Sequence, residues 1–200
     1  MIKPISAATL LSLAVLSLNA QAKVEPGIFL GLDLSTSITG TAKAEYEVSG
    51  VENEEDIDSN ALSLYLGYRF PTNNRFQISR SSIDVSYESG SDEEFNGTDF
   101  DWQFVYGTDK IQPYWGLGFG LYTYEDSAQI TEKNDDLSGI SFQLLGGIKL
   151  DMHEHVELDV SYRAKSIAWQ KITVSNGFST ETINLSHTTS SLNFGIAFKF

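Results

Sequence analysis

From about residue 28 onward, apolar side chains recur at every second position. In the last segment Leu192, Phe194, Ile196, Phe198 and Phe200 alternate with Ser191, Asn193, Gly195, Ala197 and Lys199. Successive side chains of a β-strand point to opposite faces, so one face of this segment is apolar and the other small or polar. The same pattern returns at Ile28–Leu34, Leu62–Phe70, Phe100–Tyr106, Trp115–Leu121, Phe142–Leu150 and Val156–Tyr162. One further strand is less regular. Phe76 and Ile78 share one parity while Ile83, Val85 and Tyr87 share the other. A bulge around Ser79–Ser82 would reconcile them. The pattern predicts eight strands and no helix.

The non-apolar face carries Asp33, Arg69, Asp101, Lys149, Glu157, Asp159, Arg163 and Lys199. Such charges do not fill a dry core, but they suit the polar lumen of a barrel whose outside meets lipid. The connections alternate in length. Long polar segments fall near 42–59, 88–98, 125–137 and 169–186; short ones fall at 71–74, 107–110 and 151–155. Outer-membrane barrels have long external loops and short periplasmic turns. The expected fold is therefore all-β: an eight-stranded antiparallel transmembrane β-barrel with four long external loops and three short periplasmic turns. Closure leaves no sheet edge exposed to lipid.

The N-terminus supplies an address. Lys3 precedes the uncharged apolar stretch Ile5–Leu18, and Ala20-Gln21-Ala22 follows with small residues at the −3 and −1 positions. This reads as a secretory signal peptide over residues 1–22, cleaved after Ala22, with the barrel domain over 23–200. After it, no run reaches the roughly 20 apolar residues of a membrane helix. The chain has no cysteine, so neither a lipidated N-terminus nor a disulfide scaffold is expected. Its formal charge is −14 and falls by one more when Lys3 leaves. That balance argues against nucleic acid and suits cations or basic partners.

Three features resemble the OmpA-like superfamily of small outer membrane barrels, which includes OmpX and the opacity proteins. They are Pro113-Tyr114-Trp115-Gly116-Leu117-Gly118-Phe119-Gly120, the strand Val156–Arg163 ending in Tyr162-Arg163, and the terminal aromatic Phe200. The resemblance implies residence in the outer membrane, contact with its lipids and lipopolysaccharide, and delivery by the barrel assembly machinery through Phe200. The chain stops at Phe200, where OmpA itself continues, so no peptidoglycan-binding domain is expected to follow.

Candidate chemistry is sparse. Glu45, Glu47, Glu52, Glu54, Glu55, Asp56 and Asp58 crowd one connection; Asp92, Glu93 and Glu94 mark the second; Glu125, Asp126, Glu132, Asp135 and Asp136 mark the third. They read as solvated loops, with divalent cations or a host surface as the partners they suit. His153 and His155 lie in a short turn without an evident third metal ligand. His187 invites comparison with barrels that deacylate lipid A through a lipid-facing His and a Ser two residues on. Here Thr189 stands at that position. The sequence thus predicts no catalytic, cofactor or metal residues and a surface or envelope role. A narrow channel and a lipid A-modifying enzyme are the alternatives.

Overall fold

The computed structural model describes residues 24–108, 110–124, 136–175 and 180–200. The expected signal peptide and most of the third external connection lie outside them. Among the described residues nine antiparallel strands form: β1 (Gly27–Tyr46), β2 (Glu52–Arg69), β3 (Arg75–Tyr87), β4 (Asp92–Val105), β5 (Ile111–Tyr124), β6 (Leu137–His153), β7 (Val156–Trp169), β8 (Ile172–Ser175) and β9 (Thr180–Lys199). Neighbours in sequence pair in order from β1 to β7, β9 pairs with β7, and β1 pairs with β9. Eight strands therefore close a ring. The short β8 continues the line of β7 and pairs only with the upper part of β9, from Ile172↔Ile183 to Ser175↔Thr180.

The inside–outside assignment holds where the strands form the apolar band. Leu30, Leu64, Leu117, Phe142, Leu144 and Phe194 are exposed on the outer face. Asp33, Asp101, Gln143, Lys149, Glu157 and Arg163 are buried inside. The glycines of β5 serve the interior: a side chain on Gly118 or Gly120 would collide with the carboxylates of Asp101 and Asp99. Ring stacks such as Phe100–Phe119 and Phe104–Trp115 cover the outer face.

Two expectations change. β3 has no bulge, because its register against β2 and β4 runs unbroken from Arg75 to Ser86. Ile83, Val85 and Tyr87 simply face inward, where Phe76 and Ile78 face outward. Register shifts lie instead in β1, around Ile38, and near the end of β6, between Asp151 and His153. The polar segments near 42–59 and 88–98 are largely strand rather than loop. β1–β2 and β3–β4 run on past the apolar band and close in tight turns, with Gly50 and Gly90 in the left-handed region that favours glycine. At 20 residues, β1 is roughly 65 Å long at about 3.3 Å per residue. Tilted by ~40°, it rises roughly 50 Å, about twice the ~25 Å of an apolar band.

The barrel thus has two tiers. In the lower one the outside is apolar and the inside polar. In the upper one the polarity reverses: Asp84, Ser86, Glu94 and Asn96 face outward while Ile57, Ile83, Val85, Phe95, Leu137 and Ile167 pack inside. The reversal has one cause. A side chain facing water beyond the membrane must be polar, and the only place left to bury apolar surface is then the interior.

Candidate functional site

The interior is where the unusual chemistry lies, and β7 supplies its axis. Glu157, Asp159, Arg163 and Lys165 project inward from alternate positions of that strand and cross the lumen to partners on other strands. The Arg75 guanidinium donates to both Glu157 oxygens at 2.5 and 2.8 Å. Lys149 lies 3.8 Å from Glu157 and also pairs with Asp159. The Tyr114 hydroxyl donates to Asp159 at 2.9 Å. Higher up, Arg163 meets Asp33 at 3.2 Å and Lys165 meets Asp99 at 2.8 Å. Asp99 also accepts from the hydroxyls of Tyr122 at 2.6 Å and Ser141 at 3.3 Å. Gln143 donates to Asp101 at 2.5 Å. Near the periplasmic end Lys199 meets Asp151 at 2.5 Å. Opposed charges therefore meet across the tube, and the aromatic faces of Phe29, Tyr114 and Tyr122 carry the cations Arg75, Lys149 and Lys165.

Above this polar plug sits the apolar cap, and within it one hydrogen-bonded chain. Trp169 Nε1 donates to His187 Nδ1 at 2.7 Å. The other ring nitrogen of a neutral His187 therefore carries the proton, and it donates to the Tyr87 hydroxyl at 2.7 Å. Tyr87 in turn donates to Glu93 Oε2 at 2.5 Å, and Tyr124 donates to Glu93 Oε1 at 2.7 Å. Phe95 packs edge-on against Trp169, Tyr124 and His187. His187 is buried and faces the interior rather than the lipid. Both its nitrogens are engaged by Trp169 and Tyr87, so its surroundings differ from those of a base aimed at a lipid ester.

The acids of the first external segment do not converge. Glu52 pairs with Lys43 at 3.0 Å, Glu55 accepts from the Ser89 amide at 2.7 Å, and Glu47 pairs with Lys171. The hydrogen bond from Lys171, with a second from Asn184 at 3.0 Å, holds the Glu47 carboxyl below the usual carboxylate range. Of the second group, Asp92 and Glu94 face out while Glu93 turns into the cap. Asp136 is exposed; Glu125, Asp126, Glu132 and Asp135 lie outside the described residues. Among the described residues no group of three or more His, Asp or Glu is placed to hold a metal. His153 and His155 stand with ring centres 6.0 Å apart in an exposed turn.

The cap escaped sequence reasoning, although it left a signal. Ile83, Val85 and Tyr87 share the parity of Gln77, Ser79 and Ser81, which is the lumen parity of β3. Arg75, Asp99 and Lys165 were likewise legible as inward-facing once the strand ends were known.

A closed ring with an apolar band outside and paired charges inside is a transmembrane β-barrel. The chain belongs to the family of the outer membrane protein beta-barrel domain, which it matches over residues 8–200. It is an outer membrane protein. No curated protein matches it in sequence. Among the solved barrels that share the fold are three of similar size. The outer membrane protein OprG from Pseudomonas aeruginosa is 16% identical, with a TM-score of 0.56 over 90% of this chain and 97% of that one. AlkL, solved in lipid bilayers, is 14% identical, with a TM-score of 0.54 over 100% of this chain and 97% of that one. The Neisserial surface protein A is 17% identical, with a TM-score of 0.52 over 88% of this chain and 100% of that one. At these identities the likeness is one of fold, and a fold does not assign chemistry.

Proposed function

We propose that the protein is a non-catalytic structural barrel of the bacterial surface, contributing to envelope integrity and holding an acidic rim above the membrane. The observation that carries this reading is the double seal. An eight-stranded barrel is just wide enough for side chains to fill it. Here the filling is of two kinds stacked along one axis, ion pairs at membrane depth and an apolar cap above them. Residues 1–22 act as the cleaved export signal. The exposed Phe200 ring, beside the closing strand β9, offers the assembly machinery a handle.

Purified protein in planar bilayers is expected to give no steady conductance, and lipid A isolated with and without it is expected to have the same mass. A deletion strain should become more sensitive to detergents and bulky antibiotics. A persistent ion current would instead favour a narrow channel. What supports that second reading is the middle of the lumen, where Gln77, Gln103, Gln143 and Asn193 form a buried polar lining.

A further inference from the structure

The outer wall carries a groove of about 830 Å³ on the face formed by β3 to β7, where its apolar band ends. Its rung is set by the sheet register: Arg80 pairs with Thr98, Thr98 with Leu121, and Leu121 with Ile140. On that rung the wall is Leu121 and Ile140, with Phe100 below it; above it stand hydroxyls such as Ser138. The groove therefore spans the boundary between acyl chains and headgroups on the external side.

Arg80 is what makes the groove selective. It points outward and donates to the Thr98 hydroxyl at 3.5 Å. Among the described residues the other two outward cations of the upper wall each have a carboxylate: Lys43 has Glu52 and Lys171 has Glu47. Among the described residues none pairs with Arg80. In a chain with 27 acids and 13 bases, a guanidinium on the top rung of the apolar wall, with no carboxylate partner among the described residues, is complementary to an anion arriving from the membrane. A guanidinium presents a fork of donors that matches phosphate oxygens two at a time.

We infer that this groove docks a phosphorylated lipid of the outer leaflet, the lipid A portion of lipopolysaccharide. One of its phosphates sits on Arg80 and its acyl chains lie along Phe100, Leu121 and Ile140. The inference rests on outer-membrane residence and not on the sealed lumen, so conductance measurements leave it untouched.

The test is native mass spectrometry of the refolded barrel with bis-phosphorylated lipid A, dephosphorylated lipid A and phosphatidylethanolamine in separate arms. Wild type should retain the phosphorylated lipid A in preference to both others. Arg80→Gln should weaken that retention by about tenfold, the loss expected for one charge-assisted contact, and leave the other lipids unchanged. Arg80→Lys should keep part of it. Ile140→Ser should weaken retention of both forms of lipid A. Refolding of each variant is checked by its gel shift on boiling, and Arg80→Ala serves if Arg80→Gln does not refold. Equal retention by wild type and the Arg80 variants, or no preference for the phosphorylated lipid, would overturn the site. So would full displacement by inorganic phosphate at concentrations that leave other lipids bound, since the acyl contacts would then contribute nothing.

Discussion

At the scale of single residues, the lower plug depends on mutual compensation. The Arg75 and Glu157 side chains are 1% and 2% exposed and meet through two hydrogen bonds. Taking a charge out of water is costly, and only its partner offsets that cost. Removing one member of such a pair typically costs about 3–5 kcal/mol, whereas replacing both with apolar groups of similar volume is often neutral. Lys149 at 3.8 Å gives Glu157 a second cation, which places Arg75→Met toward about 3 kcal/mol, the lower end of that range. The double change Arg75→Met with Glu157→Leu should recover most of the loss. Urea titration of protein refolded in lipid vesicles measures both. If Arg75→Met alone costs under about 1 kcal/mol, the value of an exposed pair, the plug is wetter and looser than its geometry implies.

At the scale of elements, β3 shows how one strand serves two environments. Its outer face starts with Phe76 and Ile78 and continues with Arg80, Ser82 and Asp84; its inner face starts with Gln77 and Ser79 and continues with Ile83 and Val85. The register of the strand is unbroken, and the solvent around it changes. Val85→Asn should therefore bury an amide in the cap and cost about 1–3 kcal/mol. Ser86→Asn, one position along and facing water, should stay within about 0.5 kcal/mol. The difference appears as a shift of the urea midpoint. A bulge at Ser79–Ser82 would exchange the two faces and reverse the order of the two effects.

The same strand shows what was legible in the sequence and what was not. Period-two alternation and the alternation of connection lengths carried the barrel, its strand count and the lipid-facing side. They carried these because lipid imposes one rule on every strand that crosses it. In the sequence the upper tier resembles loop at 42–59 and 88–98 because the polarity of the alternation inverts there. An inverted stretch with acids on its outer face looks like solvated coil. The partners of Glu157, Asp99 and His187 lie on strands far off in sequence, so no local spacing reveals them. His187 in particular reads as a rim residue until Trp169 and Tyr87 are placed beside it.

At the scale of the whole molecule, the two tiers are continuous in backbone but separate in what stabilises them. The lower tier is held by lipid outside and ion pairs inside. The upper tier stands in water and relies on its own apolar cap, centred on Phe95, Tyr124, Trp169 and His187. Local opening in proteins follows such divisions, with each cooperative unit exchanging its amides at its own free energy. Truncating a buried Phe or Trp to Ala costs about 3–5 kcal/mol. The pair Phe95→Ala with Trp169→Ala should therefore loosen the cap while the band, whose closure depends on neither ring, stays folded. Hydrogen exchange with mass spectrometric readout, on protein in lipid nanodiscs, resolves the two. Amides of Glu52–Ser59, Ile83–Tyr87 and Asp92–Asn96 should exchange faster in the double variant by orders of magnitude. Those of Leu62–Gly67, Asp99–Gln103 and Ser161–Lys165 should not change. The variant should still resist detergent until boiled, because the seam between β1 and β9 through the band is intact. Uniform acceleration in both tiers, or loss of the gel shift, would show that the barrel is one cooperative unit and that the cap helps to hold the membrane-embedded ring closed.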